Sequence, residues 1–447
     1  MIRLQSLRQW VGFAAVSGLL AGFGACAAAD RLLQVDNPEQ IQEQELNDEQ
    51  LIGVLVNSAI GEFQAMYADP FIWRSSMFTD EQVTGINWEQ TARLNLRIVR
   101  FTEGDANLMF GQLSRARAIA DTASSRLRTL TETPNQDARL ATTLAFAGYS
   151  YILLGEAMCE GTVNLSSRIY SSRELTEFAI PRLEEAITIA LAANRQDIAN
   201  LARVGLTRAH LQLGNKEKVK EYAAQVPANF TWWVEYSLNS PREYNILADR
   251  VTGANHALGV HPKFLSGPFG QQNLRATQTD PRIQHTTNWT LGHNRLTRLY
   301  KPYQGLRFSG YNGETIAAGG QPSLYERDTD IQLASGLEAR HNFAEADGPT
   351  AATLAFVNER RAVGNQPPMN LSGDALMAEL REQRGRDFYM GGLRLGDLRR
   401  WKEQGTGDFF PQGQHPTEEW GQYSEATCFP LPNTEYEGNP NISRPGS

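Results

Sequence analysis

Residues 376–401 read LMAELREQRGRDFYMGGLRLGDLRRW, and the fold turns on that stretch. Leu376 and Leu380 recur four residues apart, which puts them on one face of a helix. The same stripe, continued by four and then three residues, reaches Arg384 and Asp387. A helix face that ends in an opposite-charge pair must satisfy those charges by hydrogen bonds if it is buried. Gly391-Gly392 then breaks the helix. A second short turn carries Leu395, Leu398 and Trp401 on one side, with Arg394, Asp397, Arg399 and Arg400 around it. Such a pair can be a catalytic or ligand site. The expected reading is instead a structural ion-pair network of Arg384, Arg386, Asp387, Arg394, Asp397 and Trp401 that pins a C-terminal subdomain.

The 447-residue chain is long enough for one large domain or two or three ordinary ones. Its formal charge of −8 leaves no net basic surface to neutralise phosphates, which argues against nucleic acid as a partner. At the N-terminus, Arg3 and Arg8 precede a weakly apolar run from Val11 to Gly24, and Gly24-Ala25-Cys26 follows. That order predicts a signal peptide over 1–25 and lipidation of Cys26, as in a bacterial lipobox, although Phe23 stands where Leu is usual. A plain cleaved signal peptide or an uncleaved anchor are the other readings. With Cys26 lipidated, Cys159 and Cys428 remain as an even pair, either bridged or as two buried thiols. No later stretch is long and apolar enough to span a membrane.

Asp30 to Glu49 is polar and acidic, as a tether is, and 26–36 is taken as the lipid-anchored tether. Leu51 to Tyr67 predicts a first helix, ended by Asp69-Pro70. A loop with Trp73, Asp80, Glu81, Asn87 and Trp88 then precedes a helical run from Asn107 to Leu130. Further helices are expected over Asp137–Met158, Glu174–Ala193 with Pro181 starting or kinking it, Ile198–Leu213 capped by Gly214, and Lys216–Gln225. Gly148 marks a close approach to a neighbouring helix. Another pair is expected at Ile331–Glu345 and Thr350–Val363. The segments 137–226 and 331–364 resemble tetratricopeptide helix pairs without a strict period. Between them, 228–330 is rich in Gly, Pro, Asn and aromatics and lacks helical periodicity, so it is expected to form the loop-rich binding half.

No phosphate-binding glycine loop, nucleophile elbow or paired-histidine zinc motif is present. His256, His261, His285 and His293 match no metal-ligand spacing, and no cofactor is implied. The loop-like stretches are instead supplied with aromatics: Trp73, Trp88, Trp232, Trp233, Trp289, Tyr300, Tyr303 and Tyr311. Flat rings stack on the C–H faces of sugars while Asn, Asp and Arg bond the hydroxyls. Asp80, Asn87, Trp88, Trp232, Asn288, Trp289, Tyr300 and Tyr311 are therefore the candidate ligand contacts, with core packing the competing role for each tryptophan.

The opening stretch resembles the C-terminal signature of the SusD/RagB family of outer-membrane nutrient-binding lipoproteins. Arg384, Arg386, Gly392, Arg394, Asp397, Leu398, Arg399, Arg400 and Trp401 match it, Asp387 replaces a Glu, and Gln383, Gly385 and Gly391 depart from it. Val35-Asp36-Asn37-Pro38, Asp280-Pro281-Arg282, Tyr300-Lys301, Phe429-Pro430-Leu431-Pro432 and Asn439-Pro440-Asn441 resemble other family motifs in the right order. The resemblance implies a mostly α fold, with tetratricopeptide-like helix pairs supporting a loop-rich irregular half with a few short strands, over 37–447. It implies a non-catalytic, surface-exposed outer-membrane lipoprotein that binds an oligosaccharide, or a peptide, and delivers it to a SusC-like TonB-dependent transporter. A secreted glycoside hydrolase on a helical scaffold and a tetratricopeptide protein-interaction scaffold are the alternatives.

Overall fold

The computed structural model describes residues 52–251, 258–265, 280–283, 285, 289–302, 308–309 and 315–316 (backbone only for these last two pairs), and 326–444. Cys26, the signal peptide and the tether lie outside the described residues, as do Asn288, Tyr303, Tyr311 and His256.

Apolar side chains recurring every three or four positions make the first half helical. Its helices are α1 (Ile52–Met66), α2 (Trp73–Phe78), α3 (Glu89–Asn95), α4 (Gly104–Leu130), α5 (Ala138–Ala157), α6 (Ser172–Glu177), α7 (Ala179–Ala192), α8 (Gln196–Gln212) and α9 (Lys216–Ala223). After the short α10 (Leu247–Val251) and α11 (Pro262–Leu265) come α12 (Gly336–Asp347), α13 (Ala351–Val363), α14 (Gly373–Asp387), α15 (Arg394–Glu403) and α16 (Asn433–Gly438). Helix packs on helix along α1, α4, α5, α7, α8, α9 and α12 in turn. The protein is thus mostly α.

The central helix is α5, buried all round from Thr143 to Ala157. Each of its buried leucines contributes about 1.5–3 kcal/mol through the hydrophobic effect. Asp137 caps it by accepting from the Arg139 amide at 2.8 Å. A Cβ on Gly148 would lie 2.6 Å from the Leu183 side chain, so the bare glycine is what lets α5 and α7 approach. The helix expected over Glu174–Ala193 divides at Phe178 into α6 and α7, with Pro181 in the first turn of α7, where a missing amide does no harm.

Two expectations are corrected. The first helix does end at Asp69-Pro70, where Asp69 takes extended backbone (φ −142°, ψ 119°), but the loop expected from Trp73 onward begins as α2. Tyr67, Phe71, Ile72 and Trp73 are all buried, so the apolar run stays in the core across the break. Trp73 is 1% exposed, with the Arg250 guanidinium 3.9 Å from its ring, and is a core residue. Ile331–Ser335, expected as helix, is instead a strand paired antiparallel with Thr231–Val234. Its alternating Ile-Gln-Leu suits a half-buried strand, and Ser335 ends it by capping α12 through the Glu338 amide at 3.1 Å. Trp232 and Trp233 therefore lie on a strand and not in a loop.

The described part of the second half is held by short strand pairs. In chain order they are β1 (Gln82–Thr84), β2 (Glu160–Gly161), β3 (Tyr170–Ser171), β4 (Thr231–Val234), β5 (Leu258–Val260), β6 (Thr290–Leu291), β7 (Arg298–Leu299), β8 (Phe308–Ser309), β9 (Thr315–Ile316) and β10 (Ile331–Ser335). β1 pairs with β5, β2 with β3, β4 with β10, β6 with β7 and β8 with β9, all antiparallel. Of the two fates open to Cys159 and Cys428, the structure realises the disulfide. It sits where Phe429 donates to the Ala157 carbonyl at 2.8 Å, so the tail is stapled to the end of α5.

Leu376 and Leu380 pack with Ala344, Phe356 and Val357, which joins α14 to α12 and α13. Beyond that apolar end the charges take over. Arg384 and Asp387 do not pair with each other as the stripe suggested. Arg384 donates to Asp397 at 2.7 Å, while Asp387 accepts from Arg282 (2.9 Å), Arg360 (2.8 Å) and the His341 ring (2.7 Å). Arg400 bonds both Asp397 (2.9 Å) and Glu345 (2.9 Å), and the Trp401 indole N–H also reaches Glu345, at 2.8 Å. Arg399 donates to the carbonyls of Gly155, Glu156 and Met158, each at 2.9 Å, and so caps the C-terminus of α5. Gly385 is one of the signature's departures. A Cβ there would lie 3.2 Å from the Arg394 guanidinium, so the glycine leaves that side chain its place.

Burial would raise the Asp397 carboxyl, but Arg384 and Arg400 overcome it and bring it down to about 2. Replacing Asp397 with Ala leaves two buried guanidiniums without that carboxylate. The expected loss is about 3–5 kcal/mol of unfolding free energy, read from urea denaturation at neutral pH. Ligand affinity of the folded fraction should not change. An unaltered unfolding midpoint would overturn the structural assignment of this network.

Candidate functional site

The exposed aromatics gather where the β6–β7 hairpin leans on the segment that follows β1. Gly292 meets the backbone of Gly85 so closely that a Cβ on it would lie 2.5 Å from the Gly85 Cα. The Asn294 amide donates to the Gly85 carbonyl at 2.9 Å, and the Val260 amide to the Tyr300 carbonyl at 2.7 Å. These bonds fix the hairpin to the β1–β5 pair. Asn87 is exposed at the end of this segment, and Trp88, 51% exposed, is the residue preceding α3. Trp289 opens the hairpin strand at 43% exposure, with the Arg298 guanidinium 4.8 Å from its ring centre. Tyr300, half-buried, closes the same strand pair and meets the His285 ring edge-on at 6.1 Å.

Beside them lies a cavity of about 460 Å³, lined by Val260, Leu296, Arg298, Tyr300, Glu418 and Glu419 among others. The floor is joined to the tail by the hydroxyls of Thr297 and Thr417, 2.9 Å apart. Leu291 and Leu296 add exposed apolar surface. The cavity lining offers the Tyr300 ring and the Leu296 side chain together with a guanidinium, Arg298, and two carboxylates, Glu418 and Glu419. That suits a ligand with both C–H faces and hydroxyl groups, and nothing in it requires bond-breaking chemistry.

Of the candidate contacts, Tyr300 lines this cavity; Asn87, Trp88 and Trp289 are exposed on the two segments that meet at Gly85 and Gly292, with the Arg250 guanidinium 5.9 Å from the Trp88 ring, while Asn288 and Tyr311 lie outside the described residues. Asp80 belongs to neither place. It is 2% exposed and its oxygens are taken by Arg394 (2.6 Å) and Lys263 (2.8 Å). Burial would raise that carboxyl, but Arg394 and Lys263 hold it well below the usual carboxylate range. Asp80 is thus an anchor between β1 and α15. Trp232 is half-buried on β4, apart from the hairpin; its neighbour Trp233 lines a separate cavity. Sequence reasoning missed Arg298, Leu296, Glu418 and Glu419. The last two come from over a hundred residues further along, and no local pattern announces that meeting.

The platform beneath the site rests on Glu81. Its carboxyl accepts from the Met390 amide at 2.6 Å, and its carbonyl accepts from the Tyr389 hydroxyl and the His261 amide. Burial pushes the Glu81 carboxyl up to about 8, against the partial opposing effect of the Met390 N–H. His261 is pushed down to about 4 by the same burial. Among the described residues no group of three His, Cys, Asp or Glu side chains is placed to hold a metal ion, and no helix is long and apolar enough to cross a membrane.

No protein-family model matches the chain, and no curated protein matches it by sequence. Solved structures do. A SusD superfamily protein from Bacteroides vulgatus ATCC 8482 superposes with a TM-score of 0.64 at 14% identity, covering 89% of this chain and 99% of that one. A SusD-like protein from Bacteroides fragilis NCTC 9343 gives 0.63 at 14% identity, covering 91% and 99%. A SusD-like carbohydrate binding protein from Bacteroides vulgatus ATCC 8482 gives 0.61 at 13% identity, covering 88% and 97%. The chain therefore has the SusD-like fold over nearly its whole length, as the order of its motifs implied.

A native Glu81 held protonated binds a proton that the unfolded chain has released above about pH 4.5. Glu81's own contribution to stability then falls as pH rises from about 5 towards 8, by at most ~1.4 kcal/mol per pH unit, while His261, held neutral, contributes the opposite trend below about pH 6.5. Glu81→Gln should flatten that decline by one proton's worth, measured by urea unfolding across the range. An equal slope in the variant would refute the protonated Glu81.

Proposed function

We propose that the protein is a cell-surface oligosaccharide-binding protein that passes its ligand, without catalysis, to a SusC-like TonB-dependent transporter in the outer membrane. The observation that carries this reading is the pair of exposed tryptophans, Trp88 and Trp289, on adjoining segments of a rigidly bonded hairpin platform. One structure of the same fold is a SusD-like carbohydrate binding protein, which supports sugar as the ligand class. In this reading a sugar face stacks on Trp88 or Trp289, and Asn87, Arg298, Glu418 and Glu419 bond the hydroxyls. The net charge of −8 favours neutral over acidic glycans at long range. Cys26 carries the lipid that holds the protein at the membrane, and the acidic segment after it is the tether.

Trp289→Ala and Trp88→Ala should each weaken a neutral oligosaccharide about tenfold, equivalent to ~1.4 kcal/mol. Titration calorimetry over a panel of neutral glucans, xylans and mannans measures this, with an unchanged melting temperature as the control. Panel-wide absence of binding, or full affinity in both variants, would reject the glycan site; binding of peptides alone would move the ligand class to peptides.

The delivery step has its own test. Gentle detergent extraction of the tagged native protein, followed by mass spectrometry, should recover a stoichiometric TonB-dependent barrel. Recovery of the protein free or with soluble partners only would reject the transporter reading.

A further inference from the structure

A second cavity, of about 420 Å³, lies between the β4–β10 pair and the turn that joins α14 to α15. Trp233, 42% exposed, and the half-buried Leu337, Phe388 and Tyr389 give it apolar and aromatic walls. Pockets of this volume and lining hold small organic molecules.

Its charged side is a cluster of arginines. Arg282, Arg360 and Arg386 all line the cavity. Arg282 is committed: it bonds Asp280 at 2.6 and 2.8 Å and Asp387 at 2.9 Å. Arg360 bonds Asp387 through Nε and Nη2, each at 2.8 Å, while its Nη1 has only the Glu359 carboxylate, at 3.8 Å. Glu359 is itself held by both Nη atoms of Arg340. Arg386 is 4% exposed, and its Nη1 has no hydrogen-bond partner among the described residues; the Asp280 carboxylate stands 3.6 Å away.

Three guanidiniums therefore share two carboxylates, Asp280 and Asp387. The His341 ring also bonds Asp387, and its burial favours the neutral form, so it adds no counter-charge. A guanidinium taken out of water without a carboxylate of its own is held at a cost that an incoming anion relieves. Two acids line the β10 wall. Glu338 is 1% exposed, and burial raises its carboxyl to about 7, so below that pH it is mainly uncharged. Asp330 accepts from the Tyr236 amide at 2.9 Å and has no cation partner among the described residues.

We propose that this cavity binds a small aromatic monocarboxylate, with its carboxylate on the open Nη1 of Arg360 and its ring against Trp233. One carboxylate matches the one surplus positive charge of the arginine cluster, and a guanidinium–carboxylate hydrogen bond is among the strong ones. An offset stack on the indole adds to the area buried. Asp330 sets the limit to one charge, because a second anionic group on the ligand meets a carboxylate that nothing neutralises. Binding makes and breaks no covalent bond. The site shares no lining residue with the cavity beside the β6–β7 hairpin and does not rest on the glycan reading.

The test is titration calorimetry on the intact protein at about pH 6, where a free carboxylic acid is ionised and Glu338 is mainly protonated. The probes are 3-phenylpropanoate, its uncharged amide 3-phenylpropanamide, the ringless propanoate, and phenylsuccinate with its second carboxylate. 3-Phenylpropanoate should bind at least tenfold tighter than each of the other three. Arg360→Gln should remove the preference for acid over amide, and Trp233→Ala should weaken the acid about tenfold. Trp88→Ala and Trp289→Ala should leave it unchanged, which separates this site from the glycan surface. Equal affinity for acid and amide, no binding of 3-phenylpropanoate, phenylsuccinate bound as tightly, full affinity in Trp233→Ala, or a folded Arg360→Gln that keeps the preference would each overturn the proposal. If Arg360→Gln does not fold, the wild-type comparison of acid with amide and the Trp233→Ala variant decide it.

Discussion

The bidentate contact between Arg394 and Asp80 joins residues 314 positions apart in a space where neither charge reaches water. Two charges taken out of water lose several kcal/mol of hydration each, and only complete pairing returns it. That requirement propagates. Asp80 must lie beside α15, so β1 runs past the α14–α15 turn and bonds Met390 and Tyr389 through Glu81. Arg384 and Arg400 must share Asp397, which sets the distance between α14 and α15, and Glu345 brings in α12. A network of this kind adds little net stability compared with an apolar core of equal volume. Its consequence is that this arrangement gives Arg384, Arg394 and Arg400 each a carboxylate partner, and displaced arrangements do not.

The loop-rich half is organised from that centre outward. In the Asp-Pro-Arg motif, Asp280 holds the Arg282 guanidinium, which closes on Asp387 at the end of α14. The β1–β5 pair carries the β6–β7 hairpin, and the hairpin carries Trp289 and Tyr300. The tail returns under the same hairpin through Thr417, and the Cys159–Cys428 disulfide fastens it to α5. Exposed aromatics on thin segments keep their geometry because the backbone beneath them is bonded to a helical body at several points.

The helices were legible in the chain because a period near 3.6 survives any tertiary arrangement: Leu140, Leu144, Tyr151 and Leu154 on α5, or Leu376 and Leu380 on α14. Gly148 announced a close approach for the same reason, since a missing side chain matters only where something must come near. Ile331–Ser335 misled because five residues are too few to separate a strand from a helical turn by periodicity, and its partner β4 lies about a hundred residues earlier. Trp73 misled because a proline break commonly opens a loop, whereas here burial of Tyr67, Phe71 and Ile72 keeps the chain in the core across the break at Asp69.

What the sequence alone determined is therefore local and periodic: the helical body, the charged signature as a structural element, the aromatic-rich segment, and the motif order that implied a SusD-like fold. Tertiary structure decided which charge meets which. Arg384 and Asp387 share a helix face, yet each finds a better partner on another element, and no spacing rule encodes that choice. It also decided that Asp80 is an anchor while Asn87 and Trp88, a few residues on, reach solvent. Pairing and exposure are set by what the rest of the chain brings to the same place, and that information is spread over hundreds of residues.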